Sequence, residues 1–385
     1  MKMANTLDWK SSGDPRDLVH IAVQALVEGR LVAMPTETAY HVFASGLRPA
    51  AVQQLGKLAE ARNTRCPTVF LRSPQEALDY SPSLSVVASR MVNRGWPGPL
   101  VLELPATDDH SLAANLPPEV REQLLVDGKY LPQRVAAHEA ILQTMRLLPG
   151  PLIAASMINQ DGNATCNGVD AARAATDAVA VVINDGATHY GGFATTVRVE
   201  GEQCHLTAPG VIELEAVQRL SQFIVLFVCT GNTCRSPMAE TLMRHLMSER
   251  YPQLFEGKTP AAMVASAGLS AFPGGPASSE AVVIMKKRGL NLQNHQSHSI
   301  TERSLRHADL ILTMTKSHRS AIVERMPELN SKVHLLSGAN IDVTDPFGGD
   351  ESLYEVCADQ IDEYLKGWLN VIEESWFPRW QIELT

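Results

Sequence analysis

The chain has 385 residues, 45% of them hydrophobic and 19% charged, with a formal net charge of −9. That length suggests two domains, and the acidic balance offers nucleic acid no bulk attraction, leaving only a local basic groove as a route to it. No apolar run reaches the roughly 18–20 residues of a membrane span, and the polar start MKMANTLDWKSSGDPRD lacks a secretory core. The expectation is a cytoplasmic protein with no membrane partner. Cysteines at 66, 166, 204, 229, 234 and 357 are too scattered for a disulfide framework and lack zinc spacing, so no metal is expected.

Helical and strand patterns alternate through both halves, which predicts α/β domains. Leu18–Glu28 has helical periodicity, and RLVAMPTETAY reads as a strand entering a turn at Pro35. PTVFLRS and GPLVLELP look like buried strands, and DAVAVVINDG like a helix passing into a strand that ends on Asp-Gly. PGVIELEAVQRLSQ (209–222) predicts a short strand and then a linking helix. The boundary is placed at 215–222, giving domains over 15–215 and 222–375.

The second half opens with QFIVLFVCT, an unbroken apolar run typical of a central parallel strand. A Gly-Asn-Thr loop follows. In SPMAETLMRHLMSERY, Pro237 suits a first helical turn, and Met238, Leu242, Leu246 and Met247 recur at helical spacing. Further on, HADLILTMT reads as a strand, DVTDPFGG as a surface loop and LYEVCADQIDEYLKGWLNVI as a terminal amphipathic helix.

Strand, tight loop and helix is a geometry in which the free amides of a helix N-terminus face an anion. Cys229 ends the strand, so its sulfur can point at the loop centre. Thr230, Gly231, Asn232, Thr233 and Cys234 can wrap their amides around a tetrahedral oxyanion, with Gly231 expected to take the positive φ of such a cradle. Arg235 adds a planar fork for two phosphate oxygens. A thiolate nucleophile is sustained by a helix N-terminus and a nearby cation. A cysteine at a strand end is otherwise ordinary core filler, and Cys-x5-Arg alone recurs by chance. Its setting between a core strand and a Pro-started helix reads as a phosphate-transfer site.

VCTGNTCRSPMAE, with ASAGL (265–269), ADLILTMTKSH (308–318) and DPFGG (345–349), resembles the low-molecular-weight protein tyrosine phosphatases over about 223–375. The resemblance implies that Cys229 attacks phosphorus, that Arg235 holds the transition state and that Asp345 is the general acid. It also implies that Asn232 and Ser236 hold the loop and the thiolate by hydrogen bonds, with no cofactor. Expelling a phenoxide or an amide-like nitrogen is costly without a proton, which Asp345 would supply before activating water against the cysteinyl-phosphate.

CTGNTCRSPMAE and DVTDPFGG are more similar to the bacterial protein-arginine phosphatase branch. That resemblance implies that Thr230 shapes a narrower pocket and that a carboxylate, Asp342 or Asp345, pairs with the substrate guanidinium. Phe347 is placed to stack on a planar group. Phosphorylated proteins are the expected substrates, with phosphoarginine preferred and phosphotyrosine the alternative. The CxGNxCR arrangement shared with family members implies a reversible Cys229–Cys234 disulfide; the other reading of Cys234 is a small loop-filling residue.

In the first half, MPTETAYHVFASG (34–46) and WPGPLVLELP (96–105) resemble the YrdC-like, threonylcarbamoyl-AMP synthase fold over about 15–215. GGFATTVRV (191–199) and APGVI (208–212) follow in the expected order. That family uses ATP, threonine and bicarbonate to make an intermediate for tRNA modification. Carried over, its nucleotide-binding positions are Thr36, Arg62, Ser156 and Thr196. Glu60, however, stands where a phosphate-binding lysine is expected, which reverses charge beside a triphosphate. His41 replaces a glycine, SMIN (156–159) is one residue longer than Ser-Ala-Asn, and Ala208 replaces an arginine. These departures point to a degenerate domain that kept its fold and lost or changed its chemistry. A nucleotide- or structured-RNA-binding or regulatory module is the expectation, ATP the candidate ligand opposed by Glu60, and an active synthase the alternative. The expected architecture is α/β throughout: an N-terminal YrdC-like twisted-sheet domain, then a C-terminal doubly wound parallel-sheet phosphatase domain.

Overall fold

The computed structural model describes residues 5–61 and 66–376. The chain divides after Leu220 into two units.

The first unit is built on a ten-stranded mixed sheet. Its strands are β1 (Asn5–Asp8), β2 (Leu31–Pro35), β3 (Tyr40–Ser45), β4 (Thr68–Phe70) and β5 (Leu100–Pro105). They continue with β6 (Tyr130–Arg134), β7 (Leu152–Ser156), β8 (Val179–Asn184), β9 (Thr195–Glu200) and β10 (Gln203–Ala208). The spatial order is β1-β8-β2-β3-β7-β4-β6-β5-β9-β10. β2 and β3 are buried along their whole length, which explains the continuous apolar sequence of β2, while β3 buries His41 and Ser45 among its apolar residues. Period-2 alternation splits β2 between two cores: Leu31 and Ala33 enter one, Val32 and Met34 the other.

Several sequence expectations change here. β1 pairs in parallel with β8, so the sheet recruits residues before 15, and the helix Leu214–Ser221 carries the unit past 215. Around Leu18–Glu28 the helix is Pro15–Val27, because Asp14 caps it through Arg16 N and Pro15 occupies its first turn. DAVAVVINDG holds only a strand, the preceding helix having ended at Ala174. PTVFLRS pairs only over Thr68–Phe70. No strand forms over 209–213. Pro209 has no N–H to give a ladder, and Gly210 lies so close to β9 that a Cβ there would sit 2.4 Å from Thr195 N.

The second unit has a four-stranded, wholly parallel sheet of β11 (Phe223–Cys229), β12 (Ala262–Gly268), β13 (Leu310–Thr313) and β14 (Val333–Leu335), in the order β12-β11-β13-β14. Alternation along β11 sends Phe223, Val225, Phe227 and Cys229 to one face and Leu226 and Val228 to the other. The first face meets the helices Arg235–Arg250, Ser279–Lys287 and Glu351–Trp376; the second meets Glu302–His307 and Lys316–Arg325. A central strand covered on both faces accounts for the unbroken run QFIVLFVC. The same period brings Cys229 out on the side of the helix that follows it.

Candidate active site

Cys229 ends β11 and is buried. The next five residues turn the chain into the helix Arg235–Arg250, whose N-cap position is Cys234, with no side-chain cap. The first amides of that helix are therefore not consumed by a capping oxygen. Asn232 N donates to Cys229 Sγ at 3.2 Å, and Ser236 Oγ lies 3.0 Å from the same sulfur. A backbone N–H and a hydroxyl thus converge on one buried sulfur, the environment a negative sulfur requires.

The positive φ of the loop belongs to Asn232, at 55°, and not to Gly231. Asparagine tolerates the left-handed region because its short polar side chain bonds locally, and here that side chain is fully used. Asn232 Nδ2 donates to Ser236 Oγ at 2.9 Å and to Ser266 Oγ at 2.8 Å, while Oδ1 accepts from His298 N at 2.8 Å. The Asn232 carbonyl lies 2.8 Å from His295 Nε2. Ser266 in turn donates to Glu240 Oε2 at 2.6 Å. Gly268, opposite Cys229 on β12, is needed for close approach: a Cβ there would meet Thr230 O at 2.5 Å and Asn232 N at 2.9 Å.

Arg235 is buried, and its Nη2 donates to Asp345 Oδ2 at 2.7 Å. Asp345 is half-exposed on the 342–349 loop and also accepts from Phe347 N. Asp342, the other candidate carboxylate, is occupied elsewhere: its Oδ1 accepts from Lys316 N at 2.8 Å, at the start of the helix Lys316–Arg325. Phe347 is 81% exposed, and Phe272 is 85% exposed on the 269–275 segment, whose Leu269 and Ser270 amides bond Cys229 O and Thr230 O. The two threonines differ. Thr230 is exposed with Oγ1 2.9 Å from His318 Nε2, whereas Thr233 is half-buried with Oγ1 3.6 Å from Cys234 Sγ. Cys229 and Cys234 are free thiols, and Cys234 Sγ lies 3.2 Å from the Tyr354 hydroxyl.

His318, Ser266, Glu240 and Phe272 are the residues that sequence reasoning did not single out. Three of them stand inside quoted motifs, His318 in ADLILTMTKSH, Ser266 in ASAGL and Glu240 in VCTGNTCRSPMAE, but nothing in those strings says which side chain turns inward. Burial, and then the Arg235 cation, push the His318 imidazole down to about 4, against opposing effects of Asp345 and Asp342.

The model of the low molecular weight phosphotyrosine protein phosphatase family matches residues 224–376. A Bacillus subtilis (strain 168) protein-arginine-phosphatase is 40% identical over 146 residues, 37% of this chain and 91% of the relative. A Geobacillus stearothermophilus protein-arginine-phosphatase is 37% identical over 142 residues, 36% of this chain and 88% of the relative. The low molecular weight protein-tyrosine-phosphatase Wzb of Salmonella typhi is 33% identical over 150 residues, 38% of this chain and 93% of the relative. The chain belongs to the low molecular weight protein phosphatase family. It is a protein phosphatase through its C-terminal half.

The N-terminal half matches the Sua5/YciO/YrdC family model, described as telomere recombination, over residues 24–210. A cavity of about 550 Å³ opens within this unit, lined among others by His41, Phe70, Arg134, Ser156, Phe193 and Thr196. Ser156 and Thr196 both line it. Thr36 does not reach it: buried in a turn, its Oγ1 donates to Ala39 O and accepts from Ala39 N. Arg62 lies outside the described residues. Arg134 was missed because a lone arginine in YLPQR carries no motif. It is fully buried, paired through Nη2 with Glu37 Oε1 at 2.8 Å and Thr38 Oγ1 at 2.9 Å, while its Nη1 has no hydrogen-bond partner. His41 Nδ1 faces Ala39 O and Nε2 faces Ser156 Oγ, and burial pushes this imidazole down to about 3. Among the described residues no helix is long and apolar enough to cross a membrane, and no cluster of His, Cys, Asp or Glu is placed to hold a metal ion.

Two predictions follow from the phosphatase loop. Gly268→Ala displaces the loop from β12 and lowers kcat/KM by roughly 10- to 100-fold, measured by steady-state phosphate release. His318 stays neutral through pH 5 and titrates near pH 4 in NMR of the full chain, its signal assigned by loss in His318→Gln. The unfolded chain binds that proton near 6.5 and the folded chain only near 4. Acidification through this interval therefore favours unfolding, and below about pH 4 the loss from this group ceases.

Proposed function

We propose that this protein hydrolyses phosphoarginine on protein substrates through a cysteinyl-phosphate intermediate. One observation carries the reading: a buried sulfur receives a loop amide and faces a hydroxyl, at the N-terminus of a helix whose first residue presents an arginine paired to a half-exposed aspartate. The arginine preference is supported by the relatives named protein-arginine-phosphatase and by the polar Thr230 directly after Cys229.

An incoming phosphoryl group takes the Arg235 fork and displaces Asp345 from it. Cys229 Sγ forms the S–P bond as the P–N bond breaks, and the proton of the Asp345 carboxyl moves to the departing guanidine nitrogen. Water then attacks phosphorus, giving its proton to the Asp345 carboxylate. Phosphate leaves and the thiolate is restored. The amides of residues 230–234, Arg235 and the helix N-terminus stabilise the equatorial oxygens throughout.

The test compares phosphoarginine and phosphotyrosine peptides with wild type and single variants. Cys229→Ser is expected to abolish turnover of both, and Asp345→Asn to lower kcat by about 10²- to 10⁴-fold. Thr230→Ile lowers the phosphoarginine rate relative to phosphotyrosine, with Thr233→Ile as the comparison. Preferential turnover of phosphotyrosine by wild type would reject the arginine reading, and an unaffected Cys229→Ser would reject the nucleophile.

A second reading concerns the N-terminal half, where the unpartnered Nη1 of buried Arg134 supports an anionic ligand in the cavity. A nucleotide-binding module fits that donor, with Ser156 and Thr196 also lining the cavity. ATP at 100 times its Kd would stabilise this unit by about 2.7 kcal/mol. Thermal unfolding with ATP and with Arg134→Met as control measures it, and an unshifted transition at millimolar ATP rejects the reading.

A further inference from the structure

His318 occupies the first turn of the helix Lys316–Arg325, just after β13, and is 5% exposed. Its Nε2 lies 2.9 Å from Thr230 Oγ1, across 88 residues of sequence. Its Nδ1 is buried and has no hydrogen-bond partner. The ring is neutral near pH 7, so it carries one proton, and the two placements are unequal. On Nδ1, the proton would be a buried donor with nothing to accept it, and Thr230 would have to give its own hydrogen to Nε2. On Nε2, the proton reaches Thr230 Oγ1, and Nδ1 keeps only a bare lone pair. A lost donor bond in a dry site costs more than an unused lone pair on an acceptor.

The consequence falls on Thr230. With its oxygen accepting from His318, its hydroxyl hydrogen is not spent on the imidazole. Thr230 is exposed and directly follows Cys229 in the loop. We propose that His318 is a positioning residue that fixes Thr230 through an Nε2–H···Oγ1 bond and so presents the threonine hydroxyl as a donor to a phosphoryl oxygen. The inference rests on the reading of the Cys229 loop as the phosphate cradle. Asp345 and Asp342 and the Arg235 cation face the imidazole from the neighbouring elements, and none of them supplies a hydrogen bond to Nδ1.

The test has a kinetic and a spectroscopic arm on the full chain. His318→Leu, Thr230→Val and their combination are assayed with whichever phosphopeptide wild type turns over faster. Each single change is expected to lower kcat/KM about tenfold, and the double variant is to fall no further, because histidine acts through the hydroxyl. His318→Gln, whose amide donor reaches a similar point, is to retain activity within about threefold of wild type. Multiplicative losses in the double variant, or wild-type kinetics for His318→Leu, overturn the proposal. The second arm needs no variant to fold: the ¹⁵N shifts of the wild-type His318 ring report its tautomer. An Nε2-protonated ring is expected, and an Nδ1-protonated ring overturns the proposal. Loss of turnover in Cys229→Ser establishes the cradle separately, so failure of the histidine arm leaves that reading standing.

Discussion

The phosphatase half depends on the conformation of Asn232. It holds the only positive φ within the loop, at 55°, and every polar group it carries has a partner. Its main-chain amide reaches the sulfur, and its side chain ties together Ser236 at the start of the following helix, Ser266 on β12 and the 298 segment. A left-handed residue is a local strain, and these bonds over-determine it. Because Ser266 gives its own hydrogen to Glu240, its oxygen is left to accept from Asn232, and the amide orientation is set from outside the loop. The cradle is thus shaped by groups that never approach phosphorus.

Around that pin, charge is arranged by depth. Arg235 is buried, and the carboxylate that balances it, Asp345, is half-exposed on a loop. Of the two, the exposed carboxylate is the member with room to leave the pair, and the buried guanidinium the member held in place. His318 lies beside this pair as a neutral ring, since burial and the guanidinium both disfavour a second positive charge. The sheet supports the whole because its parallel order puts the C-terminal ends of β11, β12 and β13 at one edge, the usual location of ligands in such sheets.

The N-terminal unit solves a different problem. Its sheet buries an arginine completely, and Glu37 and Thr38 take up part of its hydrogen-bonding capacity. A buried ion pair is a poor source of stability compared with apolar packing, so the retention of Arg134 beside a cavity is better explained by what Nη1 can bind than by folding. The chain carries this cavity and the Cys229 loop in separate units.

Much of this was legible in the amino-acid string. The apolar run ending at Cys229, the five-residue interval to Arg235 and the Ser-Pro helix start determined a strand–loop–helix, since spacing along a short loop dictates local geometry. Asp345 was found through its motif and does meet Arg235. What the string did not decide were contacts between residues far apart in sequence. It assigned the left-handed turn to Gly231 because glycine is the residue least opposed to it; the structure gives it to Asn232, whose partners come from β12, the 298 segment and the following helix. As the carboxylate that would pair with a guanidinium it left Asp342 and Asp345 both open, and the Lys316 amide at the helix start occupies Asp342. His318, flanked by Lys316, Ser317, Arg319 and Ser320, and Arg134, beside Gln133, were not singled out, because a polar residue among polar neighbours reveals neither its burial nor its partner. Local sequence determined the strand–loop–helix and the residue types it carries; which side chains orient and neutralise them was decided by packing, where long-range hydrogen bonds are made.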